Sequence, residues 1–172
     1  LLLATGGRAK RLPLPGNALK NVFTLRTVDD SEAIREAAGK GKRALVLGGS
    51  FIGSEVAASL SMLGTGVTMA FPESRLLERI TPPAMSEFLH KTYAEKGVEI
   101  FPGVTPEALL GNGHVTRARL SNGTILDIDL VVMGVGIDLN TRLARESNLK
   151  LNAEGAVIVD AHLRSSDPRI YV

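Results

Sequence analysis

The 172-residue chain contains no cysteine, so it forms no disulfide and supplies neither a thiolate metal ligand nor a redox dithiol. No apolar run approaches the ~20 residues that a membrane-spanning helix needs. Leu1-Leu2-Leu3 is too short for a secretory signal and has no charged leader. The net charge of +2 is too small to argue for a nucleic acid or a membrane as partner. Three histidines, His90, His114 and His162, are scattered without metal-ligand spacing or a nucleophile–base pairing. No general acid–base constellation emerges either, so in an enzyme a cofactor would have to carry the chemistry.

What is present suits a globular α/β protein. Hydrophobic residues make up 44% and charged residues 22%, enough to bury one good core, or one domain with pieces of another. The first 43 residues are basic, from Arg8, Lys10 and Arg11 to Lys40, Lys42 and Arg43. A solvated face is the plain reading, and an acidic protein partner is the alternative. Both ends, Leu1-Leu2-Leu3-Ala4 and Arg169-Ile-Tyr-Val172, read as extended apolar segments whose edges need partners. They suggest an excerpt from a longer chain.

Hydrophobic periodicity and turn residues predict the elements between them. Two prolines and a Gly-Asn pair mark residues 12–20 as a linker. Thr27 to Asp30 resembles a capping box that opens a helix to about Ala38, closed by Gly39 and Gly41. A strand at 43–47 precedes a helix at about 51–63 with Ile52, Val56, Leu60 and Leu63 on one face. A second strand covers 66–71. Thr81-Pro82-Pro83, with the threonine as N-cap, starts a helix carrying Met85, Phe88, Leu89 and Tyr93 at helical spacing. A third strand covers 98–101. This βαβαβ order predicts a parallel sheet. Asn112-Gly113 and Asn122-Gly123 then predict an antiparallel meander of strands near 105–110, 114–120 and 124–127. A strand at 128–133, a short helix near 140–147 and a strand near 156–163 complete the chain. The fold class expected is α/β, a Rossmann-like parallel sheet with helices on one or both faces and a three-stranded meander.

The residues that carry chemistry cluster at the turn after strand 43–47. Gly48, Gly49, Ser50, Phe51, Ile52 and Gly53 lead from that strand into a helix. In dinucleotide-binding folds the first glycine of such a turn makes the corner, and the second lets the backbone approach a pyrophosphate. The third packs helix on strand, and the helix N-terminus favours the anion. Ser50 stands where the second glycine belongs; its Cβ would narrow the phosphate space, while its hydroxyl could donate to a phosphate oxygen. A tight βα turn without ligand is the alternative. About 20 residues on, an NAD site wants a carboxylate for the ribose hydroxyls. Phe71 cannot serve, but Glu73 can, and NADH is favoured over NADPH; Arg75 and Arg79 could instead meet a 2′-phosphate, which is the NADPH alternative. Glu55 is either favoured by the helix dipole or a contact to the nicotinamide end. Phe51 is either core or an aromatic lid. Gly134-Val135-Gly136 makes a backbone corner at a strand's carboxyl end, where open α/β sheets bind ligands.

Together these residues resemble the FAD-dependent pyridine nucleotide-disulfide oxidoreductases over essentially the whole chain. Leu3-Ala-Thr-Gly-Gly7 looks like the segment where the family's FAD domain hands over to its NAD domain. Asn21-Val-Phe-Thr-Leu-Arg-Thr27 with Asp29-Asp30 is similar to the helix entry of ferredoxin and rubredoxin reductases. Val67-Thr-Met-Ala-Phe-Pro-Glu73 looks more like apoptosis-inducing factor and monodehydroascorbate reductase, where the glutamate after Phe-Pro binds the NADH ribose. Gly134-Val-Gly136 and Asn140 match the second crossover segment, with Leu139 where proline is usual. The resemblance implies an NAD(P)H-binding domain at 18–137, flanked at 1–17 and 138–172 by parts of a mostly absent FAD domain. The family's Gly-Asp flavin motif would begin just after Val172, and its dithiol, where present, lies upstream. Phe51 would lie near the flavin–nicotinamide stack and Glu55 on the nicotinamide side, with Thr5, Gly6 and Lys10 near FAD. The implied parent is an enzyme passing hydride from NADH to flavin and electrons to a ferredoxin, rubredoxin or small oxidant. The implied alternative is a signalling flavoprotein with slow turnover.

Overall fold

Side chains of the central strands alternate between two cores, and that alternation explains why their sequences are apolar almost without interruption. Ala44, Val46, Val67, Met69, Phe71, Leu130 and Val132 belong to one buried cluster. Leu45, Leu47, Ala70, Val131 and Met133 belong to the other. In the computed structural model, which describes residues 1–172, the chain divides into two compact units, Ala9–Gly136 and Leu1–Arg8 with Ile137–Val172. In chain order the strands of the sheets are β1 (Gly7–Ala9), β2 (Val22–Thr24), β3 (Arg43–Leu47), β4 (Gly66–Phe71) and β5 (Glu99–Pro102). They continue as β6 (Pro106–Leu110), β7 (Arg117–Leu120), β8 (Ile125–Asp127), β9 (Leu130–Met133) and β10 (Ile137–Leu139). The helices are α1 (Val28–Ala37), α2 (Phe51–Met62), α3 (Pro83–Glu95) and α4 (Arg142–Glu146).

The larger unit has three layers. Its centre is a parallel five-stranded sheet in the order β2-β9-β3-β4-β5. Ile34 of α1, Val56, Ala57 and Leu60 of α2, and Leu89 and Tyr93 of α3 cover one face. The other face lies under the antiparallel meander β6-β7-β8, which contributes Leu109, Ala118 and Leu120. This is the expected Rossmann-like α/β architecture, with helices on a single face. Strand order runs from β3 outward to β4 and β5, while β3's other neighbour, β9, arrives last in sequence. The order therefore reverses between β3 and β9, the kind of switch point where open α/β sheets bind ligands.

Local rules account for most element ends. Thr27 accepts from the Asp30 N–H while the Asp30 carboxylate accepts from Thr27, a complete capping box at α1. These hydrogen bonds, that from the Thr27 backbone above all, hold the Asp30 carboxyl below its ordinary range. At α3 the expectation changes. The N-cap is Pro82 rather than Thr81, whose hydroxyl lies 3.1 Å from the Leu77 carbonyl and 3.0 Å from the Ser86 hydroxyl. Met85 and Phe88 also face solvent, leaving Leu89 and Tyr93 to pack. Leu63 is half-exposed at the end of α2. Strand β7 starts at Arg117 rather than near 114, because the Asn112-Gly113 turn widens into a longer loop. The stretch 12–20 has no regular structure, yet it is fastened down: Leu12, Leu14 and Leu19 pack on the meander-side core, and the Leu109 N–H donates to the Pro15 carbonyl (2.8 Å).

The smaller unit is built mainly from short pairings. β1 pairs with β10, and Leu2 bridges Tyr171. The opening leucines form no longer strand, and Leu1 and Leu2 are exposed. No strand forms over 156–163. There the Asp160 carboxylate accepts from the His162 N–H (2.8 Å) and the Arg164 N–H (2.9 Å), folding the segment into a local turn that competes with a ladder. Those contacts, led by the Arg164 N–H, also lower the Asp160 pKa. No helix in either unit is long and apolar enough to cross a membrane.

Candidate functional site

Three glycines from three segments make the floor of the site. Gly48 leaves β3 with φ +120, a conformation that side chains disfavour, and a Cβ there would run into the Gly134 carbonyl. A Cβ on Gly53 would overlap the Gly48 carbonyl, and one on Gly134 would lie 2.9 Å from the Gly53 nitrogen. The carboxyl ends of β3 and β9 and the first turn of α2 thus touch backbone to backbone. Gly134 N donates to the Leu47 carbonyl (2.7 Å) and Gly48 N to the Ala70 carbonyl (3.0 Å), so the corner is tied to β4 as well.

Above this floor lies a cleft of about 530 Å³ lined by the glycine turn, Val135 and Gly136, with Phe71 to Glu73 and Arg79 along one side. That volume is within the range of small-molecule and cofactor sites. Leu12, Pro13, Leu14, Thr105 and Pro106 provide a further apolar wall. Ser50 lines the cleft as the N-cap of α2, exposed and without a side-chain capping bond. The first N–H groups of α2, at Phe51, Ile52 and Gly53, precede the point where helical carbonyls can receive them. The site therefore offers backbone donors and a positive helix end to an anion.

Glu73 and Arg79 face the same cleft as an ion pair, with Arg79 Nη2 3.3 Å from Glu73 Oε1. The segment that carries them is braced on every side. The Arg75 guanidinium, part-buried, donates to the carbonyls of Thr81 (2.9 Å) and Glu78 (3.1 Å) and to Ser86 Oγ (2.7 Å). Glu78 accepts from the Ser74 N–H and hydroxyl (both 2.9 Å), which draws its carboxyl below the ordinary value. Leu77 adopts φ +53, and its N–H donates to the Gly49 carbonyl (2.7 Å). Gly103 N closes the near end on the Glu73 carbonyl (2.9 Å).

The other candidate residues fall in different places. Arg75 is turned into this brace and does not line the cleft. Phe51 is 59% exposed, so it is not a core residue. Ile52 is half-buried against the helix-side core. Glu55 lines a groove between α1 and α2 rather than the cleft. Lys10, exposed, donates its backbone N–H to the Gly136 carbonyl (2.9 Å). Thr5 and Gly6 belong to the smaller unit, where they meet Asn140. Thr5 Oγ1 donates to the Asn140 carbonyl (2.7 Å), the Asn140 amide returns a bond to the Thr5 carbonyl (2.9 Å), and Asn140 N donates to Gly6 (2.9 Å). Leu12, Leu14, Thr105 and Pro106 were not expected. The alternation of Leu12 and Leu14 about Pro13 was the available signal, hidden in a stretch that reads as linker.

Comparison with known proteins places this geometry among relatives. The model of the pyridine nucleotide-disulphide oxidoreductase family matches residues 1–172. The chain is 33% identical over 171 residues to the ferredoxin–NAD(+) reductase component of the 3-phenylpropionate/cinnamic acid dioxygenase of Photorhabdus laumondii, covering 99% of this chain and 43% of that protein. It is 33% identical over 172 residues to a rubredoxin-NAD(+) reductase of Pseudomonas putida, covering 99% and 44%. Among solved structures, a ferredoxin reductase from Rhodopseudomonas palustris superposes with a TM-score of 0.91 at 35% identity, covering 99% of this chain and 42% of that one. The chain thus spans less than half the length of these relatives.

Proposed function

Because the chain belongs to the pyridine nucleotide-disulphide oxidoreductase family, we propose that its larger unit is the NADH-binding module of an FAD-dependent NADH oxidoreductase. The smaller unit, Leu1–Arg8 with Ile137–Val172, would be part of that enzyme's FAD domain, for which the resemblance implied the flanking segments 1–17 and 138–172. The observation that carries this reading is the single cleft in which Gly48 and Gly134, packed together through Gly53, adjoin a carboxylate just past the end of β4.

The cleft suits the cofactor in three respects. A Cβ on Gly48 or Gly134 would collide with neighbouring backbone, so bare backbone lies at the floor of the cleft. The leading N–H groups of α2 suit a pyrophosphate, and Glu73 can accept from two ribose hydroxyls. Gly48, Gly49, Ser50 and Gly53 hold the phosphates, Glu73 selects the ribose, and the apolar wall from Leu12 to Leu14 and Pro106 excludes water. The Gly134-Val135-Gly136 corner leads toward the nicotinamide half. When bound, the nicotinamide supplies a hydride and the flavin accepts it; the residues of this chain bind and orient. Phe51 and Glu55, which stand outside the cleft of the larger unit, would serve the nicotinamide side in the full-length protein, with Thr5, Gly6 and Lys10 toward FAD. NADH is preferred to NADPH because Glu73 opposes a 2′-phosphate. The ferredoxin and rubredoxin reductases among the relatives support a small iron protein as electron acceptor, and none of these observations favours a signalling role.

Anaerobic titration of the full-length protein with NADH is expected to bleach the flavin absorbance. A ferredoxin or rubredoxin should then restore it. A flavin that NADH leaves oxidised would overturn the reading.

A further inference from the structure

Arg79 is the one cationic side chain that lines the cleft, and Glu73 is the one carboxylate. They are paired with each other at 3.3 Å. From this geometry we infer that Arg79 is a latched specificity residue: Glu73 ties up the only cation that could receive a 2′-phosphate, and loss of that carboxylate releases it. The inference rests on the cleft being the adenosine end of a pyridine nucleotide site.

Three observations support the latch. The first is the division of labour between the two arginines of the segment. Arg75 is committed to the Thr81 and Glu78 carbonyls and to Ser86, so it cannot turn to a ligand without dismantling the brace. Arg79 has no partner of that kind, and its side chain is 85% exposed. The second is the weakness of the latch. An ion pair whose arginine is this open to water contributes little, because solvent screens it and a long side chain must be ordered to make it. Once the carboxylate is gone, a dianionic phosphate ester can take its place on the guanidinium through charge-assisted hydrogen bonds. The third is that the backbone beneath both residues is fixed at Leu77 N–Gly49 O and Gly103 N–Glu73 O. Changing one side chain therefore leaves the other where it stands.

Selectivity in this arrangement comes from repulsion by Glu73, not from lack of a cation. NADPH faces a carboxylate that repels its phosphate and holds the arginine. NADH uses the same carboxylate for its ribose hydroxyls.

The test measures binding in the full-length protein by calorimetry, with NADH, NADPH and the fragment 2′,5′-ADP as titrants. Flavin content and melting temperature serve as controls for folding. Glu73→Gln keeps the shape and removes the charge. It is expected to weaken NADH by roughly tenfold, the loss of one charge-assisted hydrogen bond, and to tighten NADPH and 2′,5′-ADP by about the same factor. Adding Arg79→Met to Glu73→Gln should abolish the gain for both phosphorylated ligands and leave NADH at the level of the single variant. If the gain survives without Arg79, or if Glu73→Gln weakens NADH with no gain for NADPH, the latch is wrong although the site stands. If Glu73→Gln changes neither cofactor, the cleft is not the adenosine site and the functional reading fails with the latch.

Discussion

Gly134 sits against Gly53 so closely that a Cβ on Gly134 would lie 2.9 Å from the Gly53 nitrogen and 3.1 Å from its Cα. The contact joins the end of β9 to the first turn of α2. Gly134→Ala must therefore push α2 off the sheet. Overpacking of this kind costs about 1–3 kcal/mol, and the displaced helix start would no longer meet the pyrophosphate. We expect a lower denaturation midpoint and at least a tenfold loss of NADH affinity, measured by urea titration and calorimetry. Unchanged affinity would show that the phosphate turn does not depend on β9.

Gly49 and Phe71 make a second contact of the same type, with a different consequence. A Cβ on Gly49 would stand 2.6 Å from Phe71 Cγ, and the ring is buried in the helix-side core. The glycine is thus required by packing as well as by any ligand. Gly49→Ala is expected to destabilise the fold by about 1–3 kcal/mol. Phe71→Leu in the same chain should return part of that loss. A double-mutant cycle with no coupling between the two positions would refute the assignment.

Most of the central sheet was legible because its strands obey simple rules, although its edge strand β2 (Val22–Thr24) was not anticipated. Arg43–Leu47 and Gly66–Phe71 are short apolar runs bounded by glycines, and their observed limits coincide with the expected ones. The glycine turn was legible as a motif, and its position between strand and helix follows from the same residues. What escaped was structure made by side chains reaching across sequence. Nothing periodic marks Arg75 as a brace; its role depends on where the Thr81 and Glu78 carbonyls and Ser86 arrive. Thr81 reads as an N-cap, yet the Leu77 carbonyl and Ser86 claim its hydroxyl. The strand expected over 156–163 fails for a related reason, since Asp160 satisfies the nearby N–H groups before a neighbouring strand can.

Tyr93 links α3 to the nucleotide helix through its hydroxyl, which donates to the Ser54 carbonyl (2.8 Å). Burial, and then the negative charge of Glu55, push the phenol above its ordinary pKa. A group with a raised pKa in the folded state contributes stability fully below its unfolded value. That contribution is lost as pH rises through the folded value. The larger unit should therefore lose stability above about pH 10, the ordinary tyrosine value. Tyr93→Phe should cost about 1 kcal/mol at neutral pH and flatten that alkaline slope. Equal slopes for the two proteins in denaturation series at pH 8 to 11 would remove Tyr93 as the cause.

Ser50 holds the place of the turn's middle glycine, and its hydroxyl makes no capping bond to α2. That idle hydroxyl separates two effects which usually travel together. Replacing an N-cap serine by glycine costs only a few tenths of a kcal/mol, and here no capping bond is forfeited, so the stability of Ser50→Gly should match the wild type. Its backbone, at φ −102 and ψ −164, is ordinary extended chain, so glycine brings no relief of strain either. Any change in NADH affinity must then arise at the ligand. Removal of the Cβ widens the approach to the phosphates, and we expect tighter binding by calorimetry with an unchanged melting temperature. A looser complex would mean that the hydroxyl donates to a phosphate oxygen, making Ser50 a ligand rather than an obstruction.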